Sequence, residues 1–194
     1  MKSLTLSVVL SAILTSIVPA SQAQNEPWPN KPIKIVVPFG AGSFTDTAAR
    51  TIGAEIAKEL GQPVIVENKG GAGSTLGTDQ VAKASPDGYT FLLTDNSFAV
   101  SAALYKSLPY NPDKDIIQVS LVADAPAVLV GRPKLAANTL KEVVELAKRE
   151  PGKLTFGSGG QGSSAHLAME SFLLQNKLKL NHIPFKGIAP ALVD

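Results

Sequence analysis

Two glycine-rich stretches hold the residues best suited to chemistry. Gly40-Ala41-Gly42-Ser43-Phe44-Thr45-Asp46 follows the apolar run Lys34-Ile35-Val36-Val37, and Gly157-Ser158-Gly159-Gly160-Gln161-Gly162-Ser163-Ser164 follows Leu154-Thr155-Phe156. Glycine lets backbone approach a ligand closely, and a helix starting just after such a stretch offers unpaired N–H donors and a partial positive charge, so both stretches suit an anion. Neither contains Lys or Arg. Amides and hydroxyls would therefore do the holding, which favours reversible binding of a carboxylate over a polyphosphate clamp. The same residues also serve as helix caps: Asp46 stands three residues after Ser43, an S-x-x-D arrangement, and either caps a helix or contacts a ligand.

Other chemistries fit less well. Gly157, Gly159 and Gly162 satisfy G-x-G-x-x-G, but a dinucleotide site needs an acidic residue about 20 positions on, where the chain has Lys179-Leu180-Asn181-His182. A secreted hydrolase would use Ser163 or Ser164 with His166, yet these point apart at a helix start, and Phe156 takes the first glycine place of a G-x-S-x-G elbow. His166 and Glu170, four apart, lack the third and fourth ligands of a metal site. With no cysteine, thiolate zinc sites, disulfides and a cysteine nucleophile are excluded. Eighteen Lys and Arg against 16 Asp and Glu form no basic stripe, so nucleic acid is not an expected partner. Neither a metal nor a cofactor is expected.

The elements that must position these residues alternate strand and helix, the sign of an α/β fold. After the strand at Lys34–Val37, Ala49, Ile52, Ile56 and Leu60 mark a helix closed by Gly61. A strand follows at Val64–Glu67, then the loop Lys69–Ser74, a short helix from Leu76 to Ala84 and a strand from Tyr89 to Leu93. The apolar runs 118–123 and 127–130 flank Asp124-Ala125-Pro126, where a lobe boundary is placed. Beyond it, Thr139 to Glu142 reads as a capping box opening a helix. A strand at Leu154–Phe156 and a helix at Ala165–Gln175 follow, with His182 on a further strand.

At the front, Met1-Lys2, an apolar stretch from Leu4 to Val18, and small residues at Ser21 and Ala23 make a secretory signal peptide, residues 1–23, cleaved before Gln24. No later segment has the length and apolarity of a membrane span.

Several of these motifs occur together in one family. Trp28-Pro29, Pro32 to Phe39, Asp46-x-x-Ala49-Arg50, Val66 to Lys69 with Gly71-Ala72-Gly73, Pro86 to Tyr89, Phe156 to Glu170 and His182 to Leu192 together resemble the Bug, or TctC-like, solute-binding receptors of tripartite tricarboxylate transporters. The resemblance implies a type II periplasmic-binding-protein-like fold: a first α/β lobe at 24–124 and a second at 125–194 around a cleft. It implies a non-enzymatic periplasmic receptor that captures a small carboxylate-bearing solute and hands it to an integral membrane permease. By position it implies ligand contacts from Phe39, Gly40, Ala41, Gly42, Ser43, Thr45 and Asp46 of the first loop, and from Ser158, Gly159, Gln161, Gly162, Ser163, Ser164 and His166 of the second. The sequence departs from the family pattern at Gly42-Ser43, Lys69-Gly70 and Ser74. In the family the second lobe continues past the helix near Gly187–Ala191 and the chain returns to complete the first, so a fragment truncated in its second lobe is expected. The alternatives are the Ser/His hydrolase and a truncated receptor that binds nothing.

Overall fold

The computed structural model describes residues 27–193. The expected signal peptide and its cleavage point lie outside the described residues.

The first half is built around β1 (Ile33–Val37), whose β-branched residues are buried on both faces, as a central parallel strand requires. β2 (Val64–Asn68) and β3 (Thr90–Leu92) flank it in parallel, in the order β2-β1-β3, with Ile35 opposite Val66 and Phe91. The connection from β1 to β2 is α1 (Phe44–Leu60). It stops at Gly61, which takes φ 66 and returns its amide to the Ala57 carbonyl, a left-handed cap that glycine adopts without a Cβ penalty. Ile35, Val37, Phe39 and Ala49, packed against Val64, Val66, Phe91 and Leu93, form the core.

From β2 the chain runs through a single 3-10 turn at Ala72–Ser74 into α2 (Thr75–Ala82). After β3 comes α3 (Ser97–Leu104), a helix that the sequence reading lacks. Its apolar residues form no single stripe, and its fully buried side chains are Ser97 and Ser101. The local signal was Asp95, whose Oδ1 accepts the Ser97 amide at 2.9 Å.

The second half repeats the plan. α4 (Leu140–Arg149) precedes β4 (Thr155–Ser158), α5 (Ser164–Asn176), β5 (Asn181–Pro184) and α6 (Ile188–Val193). β4 and β5 pair in parallel, and Ala147, Phe156, Leu173 and Leu178 form a second core. The capping box of α4 departs from the expected geometry. Thr139 Oγ1 accepts the Glu142 amide, but Glu142 Oε2 accepts the amide of Asn138, one residue ahead of the cap.

Residues 105–139 carry neither helix nor strand, and the expected lobe boundary falls within them. Ile117, Val119, Leu121 and Val128 on this connection are each more than three-quarters exposed. Among the described residues, no helix is long and apolar enough to cross a membrane.

Candidate functional site

The two glycine loops fold into the same turn. In the first, Ser43 caps α1: its hydroxyl accepts the Asp46 amide at 3.2 Å while its own amide donates to the Gly40 carbonyl. Gly42 takes φ 79, and its amide donates to Asp46 Oδ2 at 2.9 Å. In the second, Ser163 caps α5 by accepting the His166 amide at 3.3 Å, and its amide donates to the Gly160 carbonyl. Gly162 takes φ 78, and its amide donates to His166 Nδ1 at 3.2 Å. Both turns read G-x-G-S-x-x-Z, with Z closing back on the second glycine. The amides of Gly42, Ser43, Asp46, Gly162, Ser163 and His166 are thereby spent on the turns themselves.

Asp46 has no acceptor position left for a ligand. Besides the Gly42 amide, its carboxylate accepts from Asn68 Nδ2 at 2.9 Å and from Arg50, whose Nη2 stands 2.9 Å from Oδ1. Burial alone would raise its pKa, but the hydrogen bonds from Arg50, Gly42 and Asn68, with the charge of Arg50, outweigh burial and hold the carboxyl below its ordinary value.

The second turn rests on a column of rings. Phe156 stacks on His182 with centroids 4.8 Å apart, and His182 stacks on His166 at 4.0 Å. Ser158, fully buried at the end of β4, accepts the Gly160 amide and donates to the Gly160 carbonyl; a donating His182 Nε2–H at 2.6 Å then satisfies all three contacts. Burial, and then the adjacent His166, push the His182 pKa below its ordinary value, against an opposing pull from Glu170. Ser164 reaches across to the first half: its amide donates to Ser97 Oγ at 3.0 Å and its hydroxyl to Asp95 Oδ2 at 2.9 Å. Ser163 Oγ is taken by the His166 amide and Ser164 Oγ by Asp95, and among the described residues the one Ser–His side-chain pair within 3 Å is Ser158–His182, whose serine is fully buried. His166 Nε2 faces Glu170 at 3.6 Å, and among the described residues no cluster of three or more His, Asp or Glu could hold a metal.

Between the halves lies a cavity of about 300 Å³. Its walls are Pro38 and Phe39, the turn Gly70–Ser74 and Tyr105 from the first half, with Gly159–Gln161 and Pro184–Gly187 from the second. Of the residues expected at the site, Phe39, Gly159 and Gln161 line this cavity. The others form the two turns and the helix starts behind it. Sequence reasoning missed the loop 70–74 as a wall, and missed Tyr105 and Lys186 altogether. The signal for the loop was its glycine content: a Cβ on Gly73 would stand 2.8 Å from the Gln161 carbonyl oxygen, and one on Gly40 would stand 2.6 Å from that of Lys186. Glycine is required at both positions because backbone from the other half passes there. A second hollow, of about 590 Å³, is lined by residues between Ala102 and Asp115 and shares Tyr105 with the first.

Comparison with known proteins agrees with this architecture. A family model described as tripartite tricarboxylate transporter family receptor matches residues 48–194. Protein BugT of Bordetella pertussis is 42% identical over 177 residues, which cover 90% of this chain and 54% of BugT. The structure of periplasmic binding protein BugD is similar with a TM-score of 0.82 at 40% identity, over 86% of this chain and 56% of BugD. Over the same shares, R. palustris Rpa4515 with adipate gives 0.83 at 31% identity. MatC from Rhodopseudomonas palustris with bound malate gives 0.77 at 38%, over 85% of this chain and 56% of MatC. The chain spans about half the length of the relatives it matches. With parallel sheets in both halves, paired glycine turns of one design and a family match over most of its length, the chain belongs to the TctC family of tripartite tricarboxylate transporter receptors.

Proposed function

We propose that the chain acts as a periplasmic solute-binding receptor, exported with cleavage before Gln24. In this reading lobes 24–124 and 125–194 close on a small carboxylate-bearing solute, which then passes to an integral membrane permease. The observation that carries the reading is the cavity. Glycine-rich backbone from both halves bounds it, its 300 Å³ is at the small end of ligand pockets, and its walls include Lys186 but no acidic side chain. An anion there meets backbone dipoles and one cation, and no like charge. The adipate and malate held by two relatives are of the same chemical class.

The reading includes no catalysis. In support, Ser163 caps a helix, Ser164 is bonded to Asp95 and Ser97, and Ser158 is buried. No cofactor or metal enters it.

Calorimetry with C4 to C6 di- and tricarboxylates tests the proposal. One of these should bind, and Gly73→Ala, which drives a Cβ against the Gln161 carbonyl, should weaken that binding at least about tenfold, or about 1.4 kcal/mol. Turnover of an ester or amide, lost in Ser163→Ala or Ser164→Ala, would overturn it.

A further inference from the structure

Charge is divided unevenly between the two halves. Residues 24–124 carry eight Lys and Arg against eleven Asp and Glu, while residues 125–194 carry nine against five. Pairing differs as well. In the first half Lys31, Lys34, Arg50, Lys58 and Lys83 each hold a carboxylate within 3.0 Å. Among the described residues of the second half, Lys153 alone of the Lys and Arg reaches one, Glu150, at 3.8 Å. Five of these cations gather at one pole. β4 and β5 run parallel with α4 and α5 ahead of them, so both strands start and both helices end on the side opposite the strand ends that wall the cavity. Lys148 and Arg149 lie in the last turn of α4, Lys153 in the turn to β4, Lys177 at the cap of α5 and Lys179 just before β5. The two turns are joined: the Gly152 amide donates to the Lys179 carbonyl at 2.8 Å, and Asn181 Nδ2 donates to the Gly152 carbonyl at 2.6 Å. All five residues are exposed, and Glu145 and Glu150 are the acidic residues closest to them along α4.

Helix ends explain only part of this placement. A cation in a last turn complements the negative end of the helix dipole, which serves Lys148, Arg149 and Lys177 but, fading within a turn, not Lys153 or Lys179. Lys177 also takes φ 53, the left-handed cap that glycine fills without strain. A lysine stands there at a cost in the backbone. Leu174, in the same last turn of α5, is 81% exposed. We propose that this basic pole is a docking surface for an anionic phospholipid bilayer, the lysines meeting headgroup phosphates while Leu174 enters the interface. Two features favour lipid over an acidic protein. Four of the five cations are Lys, compact point charges that suit a diffuse field of phosphates, where a carboxylate partner would be gripped best by the fork of Arg. An exposed leucine among them finds no match on an acidic protein surface but does in the boundary between headgroups and acyl chains. The pole lies away from the cavity, so the proposal is independent of what the cavity holds.

The test is co-sedimentation of the full chain with vesicles of phosphatidylcholine alone and of phosphatidylcholine mixed with phosphatidylglycerol. The parent is compared with a pole variant carrying Lys148→Gln, Arg149→Gln, Lys177→Gly and Lys179→Gln. A control carrying Lys58→Gln, Lys83→Gln, Lys106→Gln and Lys114→Gln loses the same charge from exposed places in the first half. The apolar N-terminal stretch is common to all of them, so differences among them report the pole. The parent should prefer the anionic vesicles and lose that preference in high salt. Each cation close to an anionic surface is worth about fivefold in affinity, so the pole variant should bind at least about a hundredfold more weakly and the control within about threefold of the parent. Lys177→Gly alone should bind about fivefold more weakly yet melt no lower than the parent, since it relieves the left-handed lysine, and so separates lost charge from a damaged fold. A parent that binds both vesicles alike, or a pole variant that binds as the control does, overturns the proposal. So does a parent that ignores the vesicles and is retained by immobilised polyglutamate, a result that assigns the pole to an acidic protein.

Discussion

The turns at Gly40–Asp46 and Gly160–His166 share one hydrogen-bond plan and differ at its closing residue. In the first a buried carboxylate accepts the Gly42 amide and is held in place by Arg50 and Asn68. In the second the Nδ1 of His166 accepts the Gly162 amide, and the ring is held by stacking on His182. A third copy stands away from the cavity, where Glu142 accepts the Asn138 amide ahead of α4. The shared plan depends on backbone geometry and a serine or threonine cap. What differs is the support, ionic in the first half and aromatic in the second. The two turns should therefore fail under different insults.

The largest effect is expected at Asp46. Asp46→Ala removes the acceptor of the Gly42 amide and leaves Arg50 and Asn68 unpaired on one side. Hydrogen bonds to charged groups contribute about 1.5–3 kcal/mol each, and with half-exposed Arg50 free to turn to water, a total loss of about 3 kcal/mol is expected by urea denaturation. A loss below about 1 kcal/mol would show that the ionic support is dispensable and the two turns more alike than their side chains.

Next come the glycines at matched positions. Gly42→Ala and Gly162→Ala both place a Cβ at φ near 80, costing about 1–2 kcal/mol each. The Gly162 variant should be the worse, since its Cβ would stand 3.1 Å from Leu104 Cδ2, against 3.5 Å from Ala189 Cβ for Gly42. Thermal melts that rank them the other way would show that α6 yields less readily than Leu104.

Acid should separate the turns by pH. The His182 pKa is lowered in the folded chain, so the unfolded chain takes the proton first as pH falls; stability is full above about 6.5 and declines through the folded value. The Asp46 pKa is also lowered, and its contribution is full above about 3.9 and declines only below that. In an NMR titration the Gly162 amide should therefore shift before the Gly42 amide. His182→Asn should remove the upper part of the loss, and simultaneous movement of both amides would refute independent support.

The smallest effect belongs to the exposed third copy. Glu142→Ala should cost about 0.5–1 kcal/mol, because water replaces the lost contact at the Asn138 amide. A cost equal to that of Asp46→Ala would mean that burial is not what sets the strength of this motif.

Much of the local architecture was legible from residue type and spacing. The 3.6-residue recurrence of Ala49, Ile52, Ile56 and Leu60 marked α1, and Gly61 marked its end within a residue. Ser43, Thr139 and Ser163 cap the helices they precede, since a cap satisfies amides only three residues away. α3 escaped because its stripe is absent and its buried side chains are serines. The apolar runs 118–123 and 127–130 formed no strand, because an apolar run becomes a strand only where another strand pairs with it.

The sequence by itself determined the α/β alternation, the glycine turns, their caps and the family, all of which follow from interactions within a few residues or from motif order. Only the tertiary structure decided which donors face the cavity. It spent the amides of Gly42 and Gly162 inside their own turns and closed both oxygens of Asp46 with Arg50, Asn68 and Gly42. It buried Ser158 against His182, joined Ser164 to Asp95 and Ser97, and brought Gly70–Ser74, Tyr105 and Lys186 to the cavity wall. The Ser158–His182 and Ser164–Asp95 pairings join residues 24 and 69 positions apart in the chain. Their selection rests on how two sheets and their loops pack, a long-range outcome that local spacing does not encode.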